Sequence, residues 1–226
     1  MSLVPSLTKS QKERHHELIR KYCADAFGTC ENTSIELIGN GREKGVYEVN
    51  RPNQTLVATA ASKNPEDRLL EEYNVLTELY EAVPNRFPRP FGHYRPEAAE
   101  TLGDLLVMER LQHEDLNKFK RNNSASSGFR RELSHTLGYA ITEVIEESNR
   151  YMSDPHDGNI MVQDNEDSIN LKFCDAIQFL SGSYETGIYS LLDRSERPES
   201  YRFIKDFRDG ARKYFMEEQD LDSYEA

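Results

Sequence analysis

The apolar positions of this chain follow two periods, and the dominant one changes along its length. From Thr8 to about Phe27, Leu18, Ile19, Tyr22 and Cys23 share one face at helical spacing, and Gly28 is placed to stop the helix. His15 and His16 fall inside this stretch. Neighbours on a helix point to different sides, so the pair is expected at the surface and not as a metal site. The period then shortens. Ser34–Val49 reads as a strand, a glycine-rich turn and a second strand, and Thr55–Ala60 is a third strand after a Pro-Asn turn. Asn64, Pro65, Glu66 and Asp67 form a helix start. Leu69, Leu70, Tyr73, Leu76 and Leu79 then give a buried stripe to about Glu81. Val83–Pro96, with its prolines, is expected to be extended or looped. Thr101–Met108 reads as a buried strand that ends at the polar Glu109.

After Leu111 the character changes. Asn117–Gly128 is polar, with Ser124–Gly128 expected to be flexible. Arg130–Tyr151 is an amphipathic helix with Leu133, Leu137, Ile141, Val144 and Ile145 inward. Ile160–Gln163 and Ile169–Phe173 flank Asp164–Asp167, a hairpin pattern. Helical runs are expected at Tyr184–Leu192 and Tyr201–Glu218. Five strands with one helix precede a mainly helical half. The expected architecture is therefore α+β and two-lobed, divided as 1–108 and 109–226 and joined near Met108–Leu111.

Composition narrows the function. The 226 residues suffice for two lobes and a core. A net charge of -12 argues against a nucleic-acid partner held by a general basic surface, and Lys118–Arg121 reads as a solvated face. No apolar run reaches the ~20 residues of a membrane span. The start of the chain lacks the apolar core of a secretory signal. Cys23, Cys30 and Cys174 form no metal-binding spacing, and the odd count points to free thiols in a reducing compartment, hence a cytoplasmic location. Cys174 reads as a small buried hydrophobe.

The chemistry concentrates in Tyr151–Ile160. Asp154 and Asn159 stand five positions apart, and Asp175 follows after the hairpin. A carboxylate, an amide and a second carboxylate at loop positions beside strands suit phosphoryl transfer. One carboxylate orients the attacking hydroxyl, while the amide and the other carboxylate hold Mg²⁺ on the nucleotide phosphates. Gly39 and Gly41 lie between the first two strands, where glycine lets backbone N–H groups approach a phosphate.

This order resembles the protein-kinase-like superfamily over about residues 35–180. The resemblance implies a two-lobed kinase-like fold with an antiparallel sheet and one main helix in the N-terminal lobe, and a reduced, mainly helical C-terminal lobe. It implies ATP and Mg²⁺ as cofactors. Gly39, Gly41 and Val46 look like the phosphate loop, and Glu72 like the helix glutamate that pairs with the ATP lysine. Met108, Glu109 and Leu111 look like the gatekeeper and hinge, Asp154 like the catalytic base, and Asn159 and Asp175 like the metal ligands. Val57–Ala60 sits where kinases carry V-A-I-K, which leaves Ala60 at the lysine position. Lys44, at the third position of the G-x-G-x-x-G frame, resembles the lysine of the with-no-lysine kinases and is preferred over Lys63 as the phosphate cation.

Other departures from the family shape the expected activity. Ser153 stands where H-R-D has arginine, which argues against switching by a phosphorylated activation loop. His156 gives a D-x-H-x-x-N form similar to aminoglycoside-phosphotransferase-like kinases, and it either touches the transferring group or braces the loop. Ala176 and Ile177 replace F-G, and no A-P-E follows. The resemblance is thus to minimal bacterial, viral or effector kinases. It implies a monomeric phosphotransferase acting on a serine or threonine hydroxyl of a protein, in the cytoplasm or, for a delivered effector, a host cytosol. The alternatives are a small-molecule kinase of the aminoglycoside type and a pseudokinase that binds nucleotide or a partner.

Overall fold

A computed structural model of the chain describes residues 7–40, 44–61, 68–96, 103–112, 114–122, 127–153, 157–165 and 168–182. The expected helical runs after Tyr184 lie outside them. Helix α1 (Lys9–Phe27) begins where the sequence supplies a capping box. Thr8 Oγ1 accepts from Gln11 N–H, and Gln11 Oε1 accepts from Thr8 N–H. It ends at Gly28, whose φ of 76° is the left-handed conformation that glycine adopts without strain. Strands β1 (Ser34–Asn40), β2 (Lys44–Arg51), β3 (Gln54–Ala61), β4 (Pro90–Tyr94) and β5 (Leu105–Glu109) form one antiparallel sheet in the order β1-β2-β3-β5-β4. Strand β4 arises within the proline-rich stretch. Its Pro90 sits at the strand start, which a missing N–H tolerates.

Alternation along the strands gives this sheet two faces. One carries Tyr47, Val49, Leu56, Ala58, Ala60, Leu105 and Val107, packed with Leu18, Ile19 and Cys23 of α1 in a single buried cluster. The other carries Lys44, Val46, Val57, Thr59, Leu106 and Met108 by the strand register. Helix α2 (Arg68–Ala82) reaches this second face, since Glu72 bonds Lys44 and the Tyr73 ring lies 6.5 Å from the His93 ring of β4.

The histidine pair departs from expectation. His15 is fully buried, because it lies three and four residues before Leu18 and Ile19 on the same helix face. Its Nδ1 shares a 2.9 Å hydrogen bond with the Tyr47 hydroxyl, a buried partner for a buried polar ring. The half-buried His16 turns its ring edge onto Tyr47 at 5.4 Å. Polarity suggests a surface pair, and the bond to the Tyr47 hydroxyl helps to stabilise the buried arrangement.

The chain falls into two compact units, Met1–Thr77 with Arg89–Arg110, and Glu78–Pro88 with Leu111–Ala226. This grouping differs from a division at 108/109 because Glu78–Pro88 joins the second unit. Phe87 is fully buried there, its ring 5.7 Å from Phe173 and 5.2 Å from Phe179. Phe173 N–H donates to Arg86 O, Lys172 Nζ to Phe87 O, and Arg86 to Glu143. Such contacts join distant stretches of sequence and leave no mark on local periodicity.

In the second unit, α3 (Leu116–Asn122) precedes α4 (Ser127–Ser148), whose Leu133, Leu137, Ile141, Val144 and Ile145 are buried as the spacing predicts. Strand β6 (Glu114–Asp115) pairs with β8 (Ile160–Asn165), which forms the expected hairpin with β9 (Ser168–Phe173). Strand β7 (Arg150–Met152) pairs with β10 (Phe179–Ser181). Among the described residues, no helix is long and apolar enough to cross a membrane.

The buried His15 makes stability depend on pH. Burial, with Arg14 and His16 adding like-charge repulsion, lowers it from 6.5 to about 4. The unfolded chain takes up this proton near the ordinary value, whereas the folded chain resists it. The contribution is therefore complete above the unfolded value and is lost as pH falls from there toward the folded one. The urea midpoint should fall between about pH 7 and about pH 5, and fall less steeply in His15→Asn, which cannot titrate. Parallel profiles for the two proteins would contradict this.

Candidate active site

The first unit presents a cation at the start of β2. Lys44 opposes Ala61 of β3, and its side chain leaves on the face away from α1. Its Nζ lies 3.1 Å from Glu72 Oε2 and 3.4 Å from Oε1. The carboxylate is nearly closed to solvent at 4% exposure, and the lysine keeps 31%, so the ammonium can meet both Glu72 and an incoming anion. Beside Lys44 the face is apolar. Val46 is half-buried, and Val57, Leu106 and Met108 are buried. Val57 pairs with Met108, and Thr59 with Val46 and Leu106.

The register corrects one assignment. Ala60 pairs with Gly45 and is fully buried in the cluster against α1. A lysine at 60 would point into that core, away from Glu72. The β3 residues on Glu72's side are Thr55, Val57, Thr59 and Ala61, none of them basic. A reading by position alone cannot distinguish the faces when, as here, both are buried along most of a strand.

The remaining residues of the N-terminal site divide. Gly39 lies in β1 opposite Val46, at a register shift between Leu37 and Gly39. A side-chain Cβ there would meet Val46 at an ordinary 3.7 Å, so packing alone does not demand glycine. Gly41 and Lys63 lie outside the described residues. Met108 and Glu109 end β5. Glu109 N–H donates to Arg89 O at 2.8 Å, and Glu109 Oε2 accepts from Arg89 N–H. Leu111 is buried and groups with the second unit. Sequence reasoning missed a polar chain on this face. Thr55 donates to Asn50, and Asn50 and Arg110 donate to Glu48, which holds the Glu48 carboxyl below its usual range. Its one visible signal is the alternation of Glu48 and Asn50 along β2.

The second unit brings Asn159 and Asp175 to the same end of a hairpin. Ile160 and Phe173 are its last pair. Just beyond, Cys174 N–H donates to Asn159 O at 3.0 Å, and Cys174 Sγ lies 3.4 Å from the same oxygen. The half-buried thiol is thus a bracket next to Asp175 more than a core hydrophobe. Asn159 closes a 3-10 turn, Asp157–Asn159, and Asp175 precedes another, Ala176–Gln178. Asp175 Oδ2 lies 3.5 Å from Gln178 Nε2. Its Oδ1 is buried without a hydrogen-bond partner among the described residues. An unpaired buried carboxylate oxygen is costly, and a cation removes the cost.

The segment after Asp175 is held firmly. Ser153 N–H donates to Gln178 O at 2.7 Å, and Met152 pairs with the buried Phe179. Ser153 and Asn159, which flank Asp154 and His156 in sequence, are each bonded to Cys174–Gln178. Asp154 and His156 themselves lie outside the described residues. Among the described residues, no group of three His, Cys, Asp or Glu side chains could hold a metal ion. The site that remains is an amide and a carboxylate.

Among solved structures, the crystal structure of Rad53 1-466 in complex with AMP-PNP is similar to this chain, with 24% identity and a TM-score of 0.49. The match covers 64% of this chain and 38% of that one. No protein-family model matches the chain, and no curated protein does.

The Lys44–Glu72 pair can be weighed directly. Lys44→Met leaves the Glu72 carboxylate buried without its ammonium. The expected loss is about 1–2 kcal/mol, at the modest end because the lysine is partly open to water. Lys44→Met with Glu72→Gln should cost less than the sum of the single changes, as measured by urea unfolding of all four proteins. Strict additivity would mean the two groups do not interact.

Proposed function

We propose that this chain is an ATP- and Mg²⁺-dependent phosphotransferase that transfers the γ-phosphoryl group to a serine or threonine hydroxyl of a protein. The observation that carries the proposal is the Lys44–Glu72 ion pair at the start of β2. It puts a cation, backed by a buried carboxylate, at one end of the apolar surface of Val46, Val57, Leu106 and Met108. A planar base suits that apolar surface, and the ammonium suits the phosphates. Lys44 thus takes the role that a β3 lysine has in kinases, and Glu72 keeps it extended.

Asn159 and Asp175 offer oxygen donors of the type Mg²⁺ takes, and the unpaired Asp175 Oδ1 is the atom best suited to it. The ion would supply neutralisation of the nucleotide phosphate charge. In this proposal Asp154 accepts a hydrogen bond from the acceptor hydroxyl and takes up its proton as the oxygen attacks. His156 sits two residues further along the same loop. It either donates to a phosphoryl oxygen or braces the loop. Ser153 and Asn159, which flank these residues in sequence, are bonded to Gln178 and Cys174. Most of the rate enhancement would then come from positioning and charge stabilisation. Keeping the Lys44–Glu72 pair and an unpaired Asp175 oxygen weighs against a binding-only role.

Incubation with radiolabelled ATP, Mg²⁺ and a mixed protein substrate tests the proposal. Wild type should label protein, and Asp175→Ala and Lys44→Met should each lose about a hundredfold or more. Equal labelling by wild type and Asp175→Ala would remove Asp175 from the site. Label appearing in a small hydroxyl compound instead of protein would change the acceptor class. In thermal melts, ATP should raise the midpoint of wild type more with Mg²⁺ than without it. A shift with no metal dependence would favour a binding module over an enzyme.

A further inference from the structure

Lys44 stands at the very start of β2, where a strand has few ladder bonds to hold it. Its neighbour Gly45 explains how it is nonetheless fixed. A Cβ on Gly45 would lie 2.7 Å from Tyr47 Cε2, 2.8 Å from Leu7 Cδ1 and 3.0 Å from the Tyr47 hydroxyl. The tyrosine ring therefore rests directly on the backbone between Lys44 and Val46. The ring is itself locked. Tyr47 is fully buried, its hydroxyl is bonded to His15 Nδ1 at 2.9 Å, and the edges of His15 and His16 pack on it at 5.6 and 5.4 Å. The Lys44 side chain leaves on the opposite face toward Glu72, so the strand is held from behind at the residue next to the cation.

We propose that Tyr47, held by His15 of α1, is a positioning residue that fixes Lys44 against Glu72; its importance for catalysis rests on the phosphate-binding role proposed above. Helix α1 is on this account part of the working site, although none of its residues would touch the nucleotide. His15 can serve because burial keeps its imidazole uncharged at neutral pH, so the bond to the phenol does not bring a charge into the core. Gly45 is required for the same reason that Tyr47 is effective: any side chain at 45 would push the ring off the backbone.

The test is competitive acylation of lysines by a limiting amine-reactive ester, read by mass spectrometry, with and without Mg²⁺-ATP. An ammonium held by a carboxylate reacts slowly. Tyr47→Phe keeps the ring and removes its anchor, so Lys44 labelling without nucleotide should rise about three- to tenfold. Lys172, whose Nζ donates to Phe87 O in the other unit, should not change. His15→Leu should behave like Tyr47→Phe. His15→Asn, whose amide can still partner the phenol, should stay near wild type. Unchanged Lys44 labelling in Tyr47→Phe and His15→Leu overturns the proposal, and so does a joint rise at Lys44 and Lys172, which marks general loosening. The nucleotide arm is separate. If Mg²⁺-ATP fails to protect Lys44 in wild type, the phosphate-binding role falls, and the nucleotide-free arm still decides whether Tyr47 positions the lysine.

Discussion

A carboxylate closed to water needs a cation within reach, and Glu72 has one in Lys44. Much of the first unit can be understood from that need. The ammonium must come from a strand facing α2. The strand must be fixed at the residue next to the lysine. The sheet behind it must be covered, or the strand would have nothing to rest against. Helix α1 provides cover, with Leu18, Ile19 and Cys23 packed into the buried cluster on one face of the sheet. Gly45 lets the Tyr47 ring, bonded to His15 of that helix, rest on the backbone. Ion pairs that are partly open to solvent contribute little to stability, so the value of this one lies in where it holds the ammonium.

The second unit solves a different problem with a different device. A hairpin end gathers Asn159 and Asp175 through one backbone bond from Cys174 to Asn159. The packed rings of Phe87, Phe173 and Phe179 hold the chain on both sides of Asp175. Aromatic pairs at these separations prefer edge and tilted geometries, and they restrict the strands that carry them. After Asp175 the chain makes a short 3-10 turn whose last residue, Gln178, is bonded to both Asp175 and Ser153. That bonding ties the turn to both neighbouring stretches.

Much of the fold is legible in the chain itself. Capping residues, Gly28 and the spacing of Leu18, Ile19 and Cys23 define α1. The run from Leu133 to Ile145 defines α4, and a polar tetrad between two apolar runs defines the β8–β9 hairpin. Lys44 and Glu72 are singled out only by the resemblance, and Asn159 and Asp175 by their spacing. Local periodicity carries this much because helix and strand fix the direction of each side chain relative to its neighbours.

The sequence alone determined the α+β class, the main helices, the first three strands and the hairpin, and the residue types available for the candidate chemistry. Tertiary structure decided which side each group serves. It put Ala60 against α1 and not opposite Glu72, buried His15 beneath a tyrosine hydroxyl, and drew Glu78–Pro88 into the second unit. It also left one oxygen of Asp175 without a partner among the described residues. Each of these depends on residues far apart in the chain meeting in space, and a strand buried on both faces carries no record of which partner will lie on which face.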